Sequence, residues 1–238
     1  MSKCFLLKEH FLSIVLLIII FSSSFFIQNA AAFSYKKDKE IHLGFSSGGI
    51  SLYAESADLA YQEYTYGTGI SIDGTFRFKD RISLGIHSSY LNINGVNLIP
   101  EENPQMSARI PDNETNIDAS GWLFELGAGL DYHWFYGDQN KNDFGLGLGL
   151  EFLNSQYAFA DPYITQLQAD RWDNYSLIPY FHIFYDYTTD GYTVFGVDFR
   201  GGFYGTANGT RAEALKDQGW NVKSSFINFS MFFGTTFN

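Results

Sequence analysis

Cysteine is almost absent: Cys4 is the only one in 238 residues. It stands ahead of the first apolar run, so it is not the lipidated cysteine that ends a lipoprotein leader. No disulfide framework or thiol nucleophile can organise the rest of the chain. Basic residues are scarce too, with 15 Lys and Arg against 26 Asp and Glu, a net charge of −11. A nucleic-acid surface needs the opposite balance. After Ile27 no apolar run approaches the ~20 residues of a membrane helix. Aromatics and glycine are abundant instead, at 18% and 23 residues.

The N-terminus reads as an export signal. Lys3 and Lys8 precede an apolar run from Phe11 to Ile27, and Ala30 and Ala32 follow as small residues. That order of charged, apolar and cleavable segments predicts a secretory leader, residues 1–32, removed after Ala32. Residues 33–238 then form one domain without cysteine. An exported, aromatic-rich chain of this kind is either a soluble β protein or an outer-membrane barrel.

The stretch "DFGLGLGLEFLN" (143–154) shows the pattern at its sharpest. Phe144, Leu146, Leu148, Leu150 and Phe152 alternate with Gly145, Gly147, Gly149 and Glu151. It is not a phosphate loop, because GxGxxG would need glycine where Leu150 stands and no helical pattern follows. Period two means a strand with unlike faces. Seven further segments alternate in the same way: "EIHLGFS", "YGTGISIDGTFRF", "RISLGIHSSYL", "GWLFELGAGLDYHW", "YSLIPYFHIFYDY", "TVFGVDFRGGF" and "FINFSMFFGTTFN". Pro179 cannot donate to a ladder, so a bulge is expected there.

Links between the eight segments alternate in length. "KDR", "YGDQNKND" and "TTDG" are short; the links around Ser51–Glu63, Asn94–Thr115, Ala158–Trp172 and Gly205–Gly219 are long. This predicts an all-β, eight-stranded antiparallel up-and-down transmembrane β-barrel with short periplasmic turns and four long extracellular loops. A lipocalin-like barrel also has eight strands, but its apolar face points inward. Glycines would then line its outside, where missing side chains serve no packing. With the bulky face toward lipid, the glycines instead leave room inside a narrow bore. Phe78, Tyr132, Trp134, Tyr187 and Phe237 fall where one aromatic girdle belongs; Tyr66, Tyr90, Trp122, Tyr157, Tyr175 and Trp220 fall at the other.

Eight such segments, "WLFELGAGLDY" in the fourth and an aromatic near the end of the last resemble the small outer-membrane β-barrel proteins. That group includes the outer-membrane-protein-A transmembrane domain and the opacity proteins. The resemblance covers nearly all of residues 33–238. It implies contact with outer-membrane lipid and lipopolysaccharide, and recognition of the last strand by the barrel-assembly machinery. Phe237 is penultimate here and Asn238 follows, a departure from the terminal aromatic of the group.

Strand parity points Asp73, Arg77, Arg81, His87, Glu125, Asp131, His133, Glu151, His182, Asp198 and Arg200 into the lumen. Buried charges persist only when paired. The expected role is a polar network that plugs the bore; a sharper reading has Arg200 moving between Asp198 and Glu151 to open a water path. The four histidines His42, His87, His133 and His182 also point inward, but on separated strands, so no metal site or cofactor is expected. His87, Ser89 and Glu101 are similar in spacing to outer-membrane lipid A deacylases. The asparagine expected after the serine is Tyr90, and parity turns the pair away from lipid, so no enzyme is expected.

The long links carry Glu55, Asp58, Glu63, Glu101, Glu102, Asp112, Glu114, Asp118, Asp161, Asp170, Asp173, Glu213 and Asp217 against Arg109, Arg171, Arg211 and Lys216. Divalent cations could bridge such carboxylates to lipopolysaccharide or to a surface ligand. The function expected is therefore a monomeric, non-enzymatic envelope or surface-interaction protein. Alternatives are a narrow channel for small or apolar solutes and, behind it, a lipid A hydrolase.

Overall fold

The structure, a computed structural model, describes residues 39–56, 59–79, 81–101, 116–134, 141–159, 171–189 and 192–237. The expected leader, residues 1–32, lies outside them. The chain forms β1 (Lys39–Ser56), β2 (Leu59–Lys79), β3 (Ile82–Glu101), the two-residue β4 (Asn116–Ile117), β5 (Ala119–His133) and β6 (Asn142–Phe159). It continues through β7 (Trp172–Thr188), β8 (Thr193–Asn208), a short helix α1 (Thr210–Lys216) and β9 (Asn221–Phe237). All pairings are antiparallel, and the order β2-β1-β9-β8-β7-β6-β5-β3 closes through β2–β3. β4 pairs only with Val96 and Asn97 of β3, leaving eight strands in the wall.

The wall has its apolar face outside. Along β6, Leu146, Leu148 and Leu150 are 40%, 71% and 55% exposed, while Glu151 is fully buried. Phe45, Ile70, Leu130, Leu177, Phe195 and Met231 extend the exposed belt around the ring. So much continuous apolar surface suits hydrocarbon rather than water, which excludes the lipocalin-like alternative. Closure leaves no unpaired strand edge along the belt, the condition a sheet must meet in lipid. Leu148 sits in the middle of this belt on β6, so Leu148→Arg should lower stability in a bilayer by about 2–4 kcal/mol. Urea unfolding of vesicle-refolded protein measures it, and a near-zero change would put this face in water.

The inward glycines have partners that need their space. A side chain at Gly127 would run into His87 and Glu151. Gly129 and Gly149 are paired across β5–β6, the first adjoining the Tyr180 hydroxyl and the second its ring. Gly85 and Gly147 flank Asp131 in the same way. Glycine in a strand costs about 0.5–1 kcal/mol relative to alanine, and here it makes room for the large side chains that fill the bore.

Three expectations change. The β7–β8 ladder does break between Leu177 and Tyr180, beside Pro179, but the extra residue belongs to β8. β8 is also one residue long against β9 between Gly202 and Gly205, and Tyr204 takes a left-handed φ of 64° there. Tyr157 is not a girdle residue; it faces inward, 1% exposed, and bonds Glu63. The expected first loop, Ser51–Glu63, is strand on both sides of residues 57–58, and the Gly205–Gly219 link is the end of β8 followed by α1. Glu63 is therefore a buried wall residue. Asp58, Glu102, Asp112, Glu114, Asp161, Asp170 and Arg109 lie outside the described residues.

Candidate functional site

Inside, the bore has two unlike halves. The half toward the short turns is polar. Arg200 on β8 donates from Nε and Nη2 to Asp198 Oδ2 at 2.9 and 2.7 Å, and from Nη2 to Asp73 Oδ1 at 2.7 Å. His182 of β7 continues the chain, with Nε2 3.4 Å from Asp198 Oδ2 and Nδ1 3.2 Å from Asp131 Oδ1. The second carboxylate at Arg200 is thus Asp73; Glu151 pairs with His87. Glu125 accepts from Ser89 Oγ and Asn228 Nδ2. These ten residues come from β2, β3, β5, β6, β7, β8 and β9, and only the closed ring brings them together.

Arg81 does not join them. It sits in the β2–β3 turn, exposed, and donates to the outward-facing Tyr132 hydroxyl at 3.2 Å. Strand parity cannot be carried to this position, because the β2–β3 register slips between Arg77 and Lys79 as the hairpin turns. His87 and Ser89, neighbours in the deacylase-like spacing, have different carboxylate partners, and neither is bonded to the other. The side chain of Glu101 is outside the described residues.

A relay that sequence reasoning missed lies at the short-turn end. Ser83 Oγ is 2.8 Å from His133 Nε2, and His133 Nδ1 is 2.7 Å from Asp143 Oδ2. That is the contact order of a serine nucleophile relay. Ser83 is fully buried, however, and Arg77 Nη2 also holds Asp143 Oδ2 at 3.2 Å. No acyl group reaches this serine, so the cluster is a brace between β3, β5 and β6. Nothing local signals it, as its members lie 50 and 10 residues apart.

A cavity of about 40 Å³ lies among Glu40, His42, Asp73, Asp131, His182 and Asp198. At ~10–15 Å³ of such space per water, it has room for about three or four molecules. Among the described residues no group of three or more His, Cys, Asp or Glu side chains is arranged to hold a metal ion.

The other half of the bore is centred on an apolar cluster. Ile50, Leu52, Leu91, Leu123, Leu153, Ile178 and Phe226 point inward and are buried in one cluster, to which α1 adds Ala212 and Leu215. Above it, Glu63 binds Arg211 Nε at 3.0 Å and the Tyr157 hydroxyl, and Asn174 Nδ2 donates to that hydroxyl at 3.3 Å. Parity on the expected strands turns Leu123, Leu153, Ile178 and Phe226 inward, whereas Ile50 and Leu52 fall beyond the first expected strand.

Comparison with protein-family profiles and with curated protein sequences returns no match. Comparison with solved structures does. The chain is similar to the outer membrane protein OprG from Pseudomonas aeruginosa, at 15% identity over 84% of this chain and 95% of that one, with a TM-score of 0.56. It also aligns with Ail, the attachment invasion locus protein of Yersinia pestis, at 9% identity over 84% and 97% of the two chains and a TM-score of 0.45. The outer membrane protein AlkL aligns at 13% identity over 88% and 94%, with a TM-score of 0.46. At such identities the likeness is one of fold: the closed eight-stranded barrel of outer-membrane proteins.

Proposed function

We propose that this is a non-enzymatic outer-membrane protein whose bore is closed and whose work is done at the long-loop end. The observation that carries the reading is the filled interior: among the described residues, an ion-paired half below and a buried apolar cluster above. The outer belt supplies the lipid contact, and the acidic balance of the chain suits a surface held in solution by charge repulsion. β9, which ends at Phe237 and closes the wall against β1, is the strand offered to the barrel-assembly machinery. The barrel works as a monomer, with lipopolysaccharide and phospholipid around its belt.

Ligand recognition then falls to the loop end, where a rigid scaffold presents variable segments. Of the carboxylates there, Glu55 already holds Lys223 Nζ at 3.2 Å and Asn221 Nδ2 at 2.9 Å, and Asp173 accepts from Thr210 at 2.6 Å. Asp118, Glu213 and Asp217 are exposed and remain the described candidates for divalent bridging to an anionic surface ligand.

The second reading, a narrow channel, is favoured by one observation: the polar half contains a cavity lined by Glu40, His42, Asp73, Asp131, His182 and Asp198. Planar-bilayer recording separates the two. The native protein is expected to give no conductance steps while migrating as a folded, heat-modifiable band. A steady open current from that band would overturn the closed-bore reading.

A further inference from the structure

The β8–β9 link folds back into the mouth of the barrel. Arg211, Ala212 and Leu215 of α1 are buried, the last two in the apolar cluster that fills the upper bore. α1 packs on β7, β8 and β9. Its Arg211 nevertheless reaches Glu63 on β2, which stands four strands from β7 in either direction around the ring. Glu63 is also bonded by Tyr157 of β6, and the Arg211 guanidinium lies 4.9 Å over the Trp172 ring of β7. One ion pair therefore spans the bore.

The ends of the segment are built differently from its middle. Gly209 has φ 102° and Gly219 has φ 85°, left-handed values that a side chain disfavours. At Gly209 an added side chain would also meet the Asp173 carbonyl. A seven-residue helix is not stable by itself in water, so α1 is held by its seat. Its polar tethers are peripheral: Thr210 Oγ1 to Asp173, and Lys216 Nζ to the Ala207 carbonyl at 2.5 Å.

We propose that α1 is a releasable stopper, latched across the bore by Arg211–Glu63 and hinged at Gly209 and Gly219. A buried pair gives such a segment two stable positions. Seated, both charges are matched. Withdrawn, Arg211 is solvated at the loop end and water reaches Glu63. Halfway out, one charge is buried without its partner, which is the costly arrangement. The stopper rests on the closed-bore reading, since α1 supplies Ala212 and Leu215 to the upper filling; planar-bilayer recording tests that reading, and the experiment below tests the stopper.

Cys4 is the only cysteine and lies in the expected leader, so Ser224→Cys gives a single reporter thiol. Ser224 faces inward on β9, 2% exposed, opposite Leu52. In vesicle-refolded protein, its reaction with a charged, membrane-impermeant thiol reagent is expected to be slow. Adding Arg211→Ala should speed it roughly a hundredfold, because it leaves Glu63 buried and unmatched in the seated form. Replacing both charges, Arg211→Met with Glu63→Leu, should return it to the slow rate. An unchanged rate in heat-modifiable Arg211→Ala protein would overturn the stopper. Amide exchange in the native protein provides the check that needs no variant. The α1 amides should exchange by an opening that leaves β8 and β9 protected, whereas α1 protection equal to that of the wall would show a fixed plug.

Discussion

Gly149→Val is expected to leave the chain unable to form its heat-modifiable band, while Leu150→Val, one residue on, folds as the parent does. Position 149 faces the bore. A side chain there would strike the Ala128 carbonyl, the Gly129 Cα at 2.7 Å and the Tyr180 ring at 2.6 Å. Two of these obstacles are backbone of the neighbouring strand, which cannot give way without breaking the β5–β6 ladder. Overpacking in cores typically costs about 1–3 kcal/mol, and more where backbone must move. Leu150 points the other way and is 55% exposed on the outer belt, where a smaller aliphatic side chain still faces lipid. Refolding into detergent or vesicles, read by gel shift, distinguishes the two. Equal folding of both variants would mean that the glycine face is not the crowded one.

Arg200→Ala is the second large effect, with an expected loss of about 3–5 kcal/mol, the usual result of removing one partner from a buried ion pair. Arg200 is 1% exposed and serves both Asp198 and Asp73. Its removal leaves the Asp73 and Asp198 carboxylates without the guanidinium that both of them accept from. Replacing the whole set, Arg200→Met with Asp73→Asn and Asp198→Asn, should recover most of the loss, because desolvation and attraction nearly cancel in such networks. Urea unfolding midpoints in vesicles test both. The same variant bears on conduction. If the charge network were the gate, Arg200→Ala would open a current. An apolar cluster around Leu52, Leu123 and Phe226 packs in the bore above it; on the closed-bore proposal the folded variant is expected to stay silent in planar bilayers.

The effects differ in origin, and that difference marks how far the chain could be read without coordinates. Alternation at 143–154 was enough to orient β6, because a strand turns successive side chains to opposite faces whatever surrounds it. The same period in seven other segments predicted the strand count and the inward position of Asp73, His87, Glu125, Asp131, Glu151, His182, Asp198 and Arg200. Arg81 fell outside that logic, since a register slip at the hairpin cancels parity. So did the bulge beside Pro179: a missing N–H marks where a ladder must yield, but β8 supplied the extra residue.

What the sequence by itself determined is the alternation, the absence of cysteine after Cys4, and which side of each strand is bulky. Only the tertiary structure decided which inward residues touch: Arg200 with Asp73, His87 with Glu151, Ser83 with His133, and Arg211 of α1 with Glu63 across the mouth. Facing is a property of one strand's backbone. Partnership depends on the stagger of eight strands around a closed ring and on bulges that shift it, and these are settled when the ring closes.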